Sequence, residues 1–389
     1  MEEIIGKFNT AKVFASVIDE ETREQVKLLL NQSFIKDLVV RIMPDCHKGK
    51  GCVIGTTMTI KDKIVPNLVG VDIGCGIKVI TLGNINDINL DFAKLDKFIY
   101  NSIPHGIGVN KEKVLDEDTL IHNLKCFNYL EDVDRLERSL CSLGGGNHFI
   151  ELDKDDEDNV YLLIHTGSRN LGTQVATYYQ NKAISNHNDF VASYENKRIS
   201  TIKKLKEEGR EKEIALALKE LEKEFSEVRD IPDQLTCLEG EDFSNYLHDM
   251  ELTQEFASIN RDLIGRKIVS EVFYLDYDSL DKFESIHNYI NFKDMILRKG
   301  AISAYKNERL VIPINMRDGS ILALEKEDKD YNYSAPHGAG RVLSRNKAIE
   351  AIPLEKFEES MKGIYTTSVC KGTIDESPFA YNLTLEFYS

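Results

Sequence analysis

Val160-Tyr161-Leu162-Leu163-Ile164-His165-Thr166-Gly167-Ser168-Arg169 is an apolar run that stops abruptly at a histidine, a glycine and an arginine. Five consecutive β-branched, aromatic or aliphatic residues read as a strand buried on both faces. The small residues after it read as a loop in which a backbone or a ligand can come close. The same texture recurs elsewhere. Asn67-Leu68-Val69-Gly70-Val71, taken as strand-like, leads into Asp72-Ile73-Gly74-Cys75-Gly76, and Gly144-Gly145-Gly146-Asn147-His148-Phe149-Ile150-Glu151 sets a histidine beside glycines. Further strands are expected at Leu38–Met43, Cys52–Gly55, Ile77–Leu82, Gly300–Tyr305 and Leu310–Ile314.

Helical spacing lies between these runs, over Leu90–Tyr100 and Asp116–Leu130. Ser200–Val228 is different: Ile202, Leu205, Ile214, Leu218, Leu221 and Phe225 sit among Lys and Glu, with Gly209 as a break. That predicts a charged helical hairpin or arm. Ser244–Tyr274 carries Leu247, Met250, Leu252, Phe256, Ile259, Leu263 and Ile268 at helical spacing, as core positions. No internal repeat and no linker rich in Pro, Gly and Ser divides the chain. The expectation is one compact α+β domain over residues 1–389, with mixed sheets and a helical insertion at about 190–275.

Composition narrows the function classes. The net charge of −16 excludes nucleic-acid binding through overall charge, so any basic surface must be local. Candidates are Lys48, Lys50, Arg169, Lys299, Arg341, Arg345 and Lys347. No run of about 18 apolar residues predicts a membrane span, and Met1–Lys7 lacks the pattern of a secretory signal. Seven cysteines without framework spacing suggest reduced thiols and a cytoplasmic setting. A monomer is compatible with the sequence.

Two clusters carry chemistry. Asp72 and Cys75 lie three apart across a glycine, so both side chains can point at one ion. With His148, His165 and His287 they make a mixed O/S/N donor set, whose softness alone points to zinc. The alternative for each histidine is a hydrogen-bonded core residue. Ser334-Ala335-Pro336-His337-Gly338-Ala339-Gly340-Arg341 leaves a histidine with little steric cover and an arginine four residues on. A neutral imidazole there can attack phosphorus, and the arginine can hold a phosphate by two parallel hydrogen bonds. The alternative is a glycine turn beside a partly buried histidine.

These runs together resemble the RtcB family of 3′-phosphate RNA ligases, which act in tRNA splicing and RNA repair. The resemblance covers nearly the whole chain. It rests on Met43–Gly51, Gly70–Gly76, Gly146–Glu151, His165–Arg169, His287-Asn288-Tyr289, Arg298–Ala301 and His337–Arg341 followed by Ser344-Arg345, in that order. It implies an RtcB-like fold around two manganese ions. Cys75 would bridge them, with Asp72 and His148 on one ion and His165 and His287 on the other. It implies that His337 attacks the α-phosphate of GTP to give a histidine–GMP adduct. GMP then passes to an RNA 3′-phosphate, and a 5′-hydroxyl end displaces it. A 2′,3′-cyclic phosphate end would first be opened by water.

Asn147 resembles a contact to the nucleotide phosphate and Glu151 a reader of the guanine edge. Arg169 and Arg345 resemble phosphate contacts, and Asp45 and His47 groups that back the site. Asn315, Met316, Gly338, Ala339, Gly340 and Arg341 resemble the nucleotide seat. Two departures stand out. Better-known members carry Gly-Ser-Met-Gly after Ile-Pro, where this chain has Ile314-Asn315-Met316-Arg317, and they end in a Val-Lys-Gly tail whose lysine reaches the guanine. Leu385–Ser389 offers no such lysine. Different guanine contacts are therefore expected. The competing readings are a metal-dependent phosphodiesterase or phosphatase on RNA ends, and a non-catalytic RNA-binding relative.

Overall fold

The computed structural model describes residues 1–115, 119–225 and 231–382. The terminal run Leu385–Ser389, Val228 and the start of the expected helix at Asp116 lie outside the described residues. Two larger sheets organise the chain. A six-stranded sheet runs Glu2–Ile5, Thr10–Val13, Val40–His47, Ile54–Thr59, Ile296–Lys299 and Asn288–Asn291 across its width. Only Thr10–Val13 and Val40–His47 pair in parallel. A four-stranded antiparallel sheet runs Lys282–Ile286, Gly76–Asn84, Asn159–Thr166 and Phe149–Lys154.

The opening run is the third strand of that second sheet. Leu162, Leu163 and Ile164 are fully buried on both its faces, as a continuous apolar run requires. Register then does the decisive work. Gly76 pairs with both Thr166 and Ile286, and Phe149 pairs with His165. Cys75, His148, His165 and His287 are thus brought to one end of one sheet. His287 is also the hinge between sheets, lying between Lys282–Ile286 and Asn288–Asn291.

The Gly240–Ile268 helix and a following π turn, Val269–Phe273, pack behind the four-stranded sheet, where Ile264, Ile268 and Val269 join Ile80, Leu162 and Ile164 in one core. The larger core lies under the six-stranded sheet, around Val40, Ile42, Leu297 and Ile290, and is closed by the Glu20–Leu30 helix through Val26, Leu29 and Leu30. Asp19 caps that helix, accepting from the Thr22 amide at 2.8 Å.

Several expectations need correction. Asn67–Val71 is not a strand: Pro66–Leu68 forms a 3₁₀ turn, because Pro66 sits at its first position and the loop must swing into the Asp72 turn. Within Asp116–Leu130 the described residues hold only the short helix Thr119–His122 and a 3₁₀ turn, Phe127–Tyr129. The backbone amides of Lys125 and Cys126 are instead captured by the buried Asp249 carboxylate, at 2.7 and 3.0 Å.

The first long helix starts at Arg169 and runs unbroken to Glu207, about 58 Å of helix, whereas the insertion was placed from about 190. Its first half buries Leu171, Val175, Tyr179 and Ala183, and its second half leaves the body as an arm. The chain turns at Gly209 and returns as Ile214–Phe225, with Tyr194 and Phe225 rings 4.7 Å apart sealing the hairpin. Among the described residues no helix is long and apolar enough to cross a membrane. All seven cysteines are free thiols.

Leu297 is fully buried on an inner strand of the six-stranded sheet. Leu297→Ala is expected to destabilise the protein by about 2–5 kcal/mol, read as a lower denaturant midpoint at unchanged slope.

Candidate metal and nucleotide site

At the ligand end of the four-stranded sheet, two triads of donor atoms share one sulfur. Asp72, Cys75 and His148 form one, and Cys75, His165 and His287 the other, each with its ligand atoms within 4.8 Å of one another. Cys75 Sγ lies 3.5 Å from His148 Nε2 and 3.4 Å from His165 Nε2. His165 Nε2 lies 3.4 Å from His287 Nε2, and His148 Nε2 lies 2.9 Å from Asp72 Oδ2.

The outer nitrogens are fixed from behind. His148 Nδ1 sits 2.9 Å from the Leu143 carbonyl and His165 Nδ1 sits 3.1 Å from the Asn147 carbonyl. A carbonyl only accepts, so Nδ1 donates to it in each ring, and Nε2 is the nitrogen turned toward the other donors of the cluster. Gly167 makes room for Asp72: a Cβ there would collide with its Oδ1.

Electrostatics fit the same picture. Burial pushes the His165 and His287 imidazoles well below their usual range, so both are neutral donors. Burial, and then the charge of Asp72, push the Cys75 thiol well up. A coordinated dication reverses that, because coordination deprotonates a thiol outright. Burial also opposes ionisation of Asp72, but the hydrogen bond and charge of His148 outweigh it and hold the carboxyl below its usual range.

His337 stands beside this cluster, its ring 5.0 Å from that of His287. Asp45 grips it twice, accepting from the backbone amide at 3.2 Å and meeting Nδ1 at 2.7 Å. The Asp45 side chain is fully buried and its Oδ1 has no protein partner. So Asp45, expected to back the site, steadies His337 and aims its Nε2 away from itself. The Asp45 carbonyl lies 3.1 Å from His47 Nδ1.

A cavity of about 610 Å³ opens over the cluster. Asn147, His148, Glu151, His165, His287, Asn315, Met316, His337, Gly338, Ala339, Gly340, Arg341 and Arg345 all line it. Arg169 does not. Its guanidinium binds Ser142 Oγ at 3.0 Å and the Gly106 carbonyl at 2.8 Å, which ties it to the loops around His148. Asn315 reaches the cavity, but its amide closes its own turn, accepting from Arg317 and Asp318 amides and donating to Asp318. Arg341 donates to the Asp375 carbonyl at 2.5 Å and to the Tyr381 hydroxyl at 3.1 Å, and Arg345 pairs with Asp375 and Glu376. Both arginines therefore face carboxylates of the segment 375–376. Lys299, expected at the surface, is buried and donates to the Lys50 and Asn67 carbonyls.

Asp153 also lines the cavity, two residues beyond Glu151 on the edge strand Phe149–Lys154. Burial, then the charge of Asp153, push the Glu151 carboxyl well up; burial pushes Asp153 up to about 6. Asp153 was not singled out from sequence. The i, i+2 spacing from Glu151 on a strand was the available signal.

Because one sulfur belongs to both triads, Cys75→Ala is expected to lower metal content at both positions, whereas His287→Ala should spare the Asp72–His148 side. Elemental analysis of the purified variants checks this. Full retention of both ions in Cys75→Ala would exclude a shared ligand.

Similarity to known proteins points to one family. Residues 25–127 and 125–384 match the family model described as tRNA-splicing ligase RtcB. The chain is 28% identical over 396 residues to the RNA-splicing ligase RtcB of Escherichia coli strain K12, covering 94% of this chain and 88% of that protein. It is 26% identical to the tRNA-splicing ligase RtcB of Aeropyrum pernix, over 87% of this chain and 81% of that one. The corresponding protein of Nanoarchaeum equitans is 25% identical, with 97% and 90% covered. With seven motifs in order, an α+β fold that brings four of them to one sheet end, and a family match over nearly the whole chain, the protein belongs to the RtcB ligase family.

Proposed function

We propose that the protein is a GTP-dependent RNA ligase, joining RNA ends that carry a 3′-phosphate or 2′,3′-cyclic phosphate to 5′-hydroxyl ends, in RNA repair or tRNA splicing. One observation carries the reading: His337 is pinned through Nδ1 by the buried Asp45 at 2.7 Å, in the same cavity as His148, His165 and His287 of the donor cluster. Hydrolysis alone needs no covalent carrier, so a histidine held this way points to nucleotidyl transfer.

In this reading Asp72, Cys75 and His148 would hold one ion, and Cys75, His165 and His287 a second. The shared sulfur suits two dications, because its negative charge lowers their repulsion. Bound manganese would neutralise phosphate charge and favour departure of pyrophosphate.

The chain's own residues do the rest. His337 Nε2 attacks the α-phosphorus of GTP; an N–P bond forms and the bond to pyrophosphate breaks. The imidazole gains positive charge as it reacts, and Asp45 balances that charge through the proton on Nδ1. The RNA 3′-phosphate then takes the GMP group from His337, and a 5′-hydroxyl displaces GMP to form the phosphodiester. Asn147 is assigned to the nucleotide phosphates and Glu151 to the guanine edge. Arg341 and Arg345 are placed to hold phosphate in exchange for their present carboxylate partners.

Covalent labelling with α-phosphate-labelled GTP and manganese tests the pathway. Wild-type protein is expected to take up acid-labile label, His337→Ala none, and Asp45→Asn at least about tenfold less, in line with the loss of an orienting hydrogen bond. Label from ATP in place of GTP would overturn the guanine assignment. No label from either nucleotide, with metal bound, would replace the ligase with a phosphodiesterase acting on RNA ends.

A pH dependence follows from the acidic edge. Guanine presents N1–H and 2-amino donors, so Glu151 reads it as a carboxylate. A raised carboxyl protonates as pH falls, and protonation removes the acceptor. GTP affinity, measured by equilibrium binding, is therefore expected to weaken as pH falls, and to do so at a pH above the usual carboxylate range, because burial and the Asp153 charge raise the Glu151 carboxyl. Adenine lacks both donors, so ATP binding serves as the control.

A further inference from the structure

The Gly240–Ile268 helix carries a polar stripe that faces the ligand loops from behind, and the reaction as described does not use it. Asn260 and Arg261 on this helix are both fully buried. Arg261 Nη1 donates to the Gly74 carbonyl at 2.7 Å and to the Thr166 carbonyl at 2.8 Å. Gly74 immediately precedes Cys75, and Thr166 immediately follows His165. Arg261 Nη2 binds Glu284 at 3.0 Å, three residues before His287 on the strand Lys282–Ile286. One guanidinium therefore touches each of the segments that deliver Cys75, His165 and His287.

Asn260 does the same for His148. Its Nδ2 donates to the Ser142 carbonyl at 3.0 Å and the Gly167 carbonyl at 3.1 Å, and its Oδ1 accepts from the Ser142 amide at 3.1 Å. Ser142 is next to Leu143, whose carbonyl fixes His148 Nδ1. One turn earlier, Ala257 is small enough for the ligand loop to touch the helix. Gly74 has φ +72, and a Cβ on it would lie 2.8 Å from the Ala257 Cβ. Gln254 completes the stripe by pairing with the backbone of Ile290, just after His287, and donating and accepting there at 3.4 and 2.8 Å.

A buried guanidinium is costly to maintain for packing alone. Its carboxylate partner Glu284 is shared with Lys78 at 3.0 Å, and its Nε has no protein partner. The charge is thus only partly compensated locally, and it lies on the Cys75 side, since Arg261 Nη1 reaches the carbonyl of Gly74, the residue before Cys75.

We propose that Asn260 and Arg261 are positioning residues of the metal centre: they clamp the four ligand-bearing segments to one rigid helix and set a fixed positive charge behind the shared sulfur. This rests on the metal reading above. Neither residue would touch an ion or a substrate.

Cobalt(II) titration of metal-free full-length protein tests the clamp, since cobalt bound to a thiolate gives a charge-transfer band that reports the Cys75 bond directly. Arg261→Met keeps the length of the side chain and removes the fork and the charge. It is expected to bind cobalt about 10- to 100-fold more weakly than wild type, the usual cost of losing support behind a ligand. Arg261→Lys should recover part of that loss, because it restores the charge without the two-carbonyl fork; a purely structural role predicts no such recovery in the band. Asn260→Ser should weaken cobalt binding through the His148 side, and it carries the test with Arg261→Lys should Arg261→Met not fold. Folded variants with wild-type cobalt affinity and an unaltered band would overturn the clamp while leaving the metal reading in place. A wild-type protein that gives no thiolate band would instead refute the metal reading, and the clamp with it.

Discussion

A buried thiol wedged between two imidazoles is the constraint on which the rest of the architecture turns. Cys75 Sγ sits within 3.5 Å of His148 and His165 nitrogens, with Asp72 close by. Without an ion, that grouping is poor: a sulfur that resists ionisation, the His165 and His287 imidazoles held neutral by burial, and a carboxylate with His148 to answer it. Such a concentration of soft and charged donors loses hydration and gains little in return. Binding a dication converts every member into a satisfied ligand, so binding and local folding stability are linked. The antiparallel register that puts Gly76 opposite both Thr166 and Ile286 is what makes the grouping unavoidable once the sheet forms.

Much of this was legible in the chain itself, for a physical reason. Strands that end in glycine and a histidine announce both a buried element and an accessible group, and the runs around Cys75, His148 and His165 do so in three places. What stayed hidden is the set of contacts made by polar residues in apolar company. On the Gly240–Ile268 helix the apolar positions Leu247, Leu252, Ile259 and Leu263 were taken as core, yet they are only partly buried. Met250, Phe256 and Ile268 are fully buried as expected, but Asp249, Thr253, Asn260 and Arg261 share their stripe. Its spacing is the helical one, so a reading that counts only apolar side chains finds part of the buried face and misses its polar members. The same cause explains the lost helix before Leu130. Asp249 satisfies the amides of Lys125 and Cys126 at long range, which no local pattern reveals.

The helical insertion illustrates a second limit. Its charged far end was evident from the Lys and Glu around Leu205 and Phe225. Its beginning was not, because the helix starts directly at Arg169, at the end of the motif loop. Arg169 has φ +58 and ties itself to Ser142 and Gly106. The residue that starts the helix is thus also the one that braces the loop carrying His148. A motif arginine with the right chemistry for phosphate has, in this conformation, a structural hold on the site.

Five histidines line the cavity, and the partners of three of them differ in a telling way. His148 and His165 turn Nδ1 to backbone carbonyls, which orient the ring without adding charge. A ring held that way presents Nε2 in a fixed direction, as an ion requires. His337 turns Nδ1 to a buried carboxylate instead. That partner does little for a ring that stays neutral but much for one that becomes positive, as an imidazole does when its other nitrogen bonds to phosphorus. In the proposed reaction the distinction between ligand and nucleophile lies in the second nitrogen of each ring, not in its distance from the cluster. Asp45, through a single buried oxygen, separates His337 from its neighbours, and in that proposal it supports the ring that would carry the nucleotide.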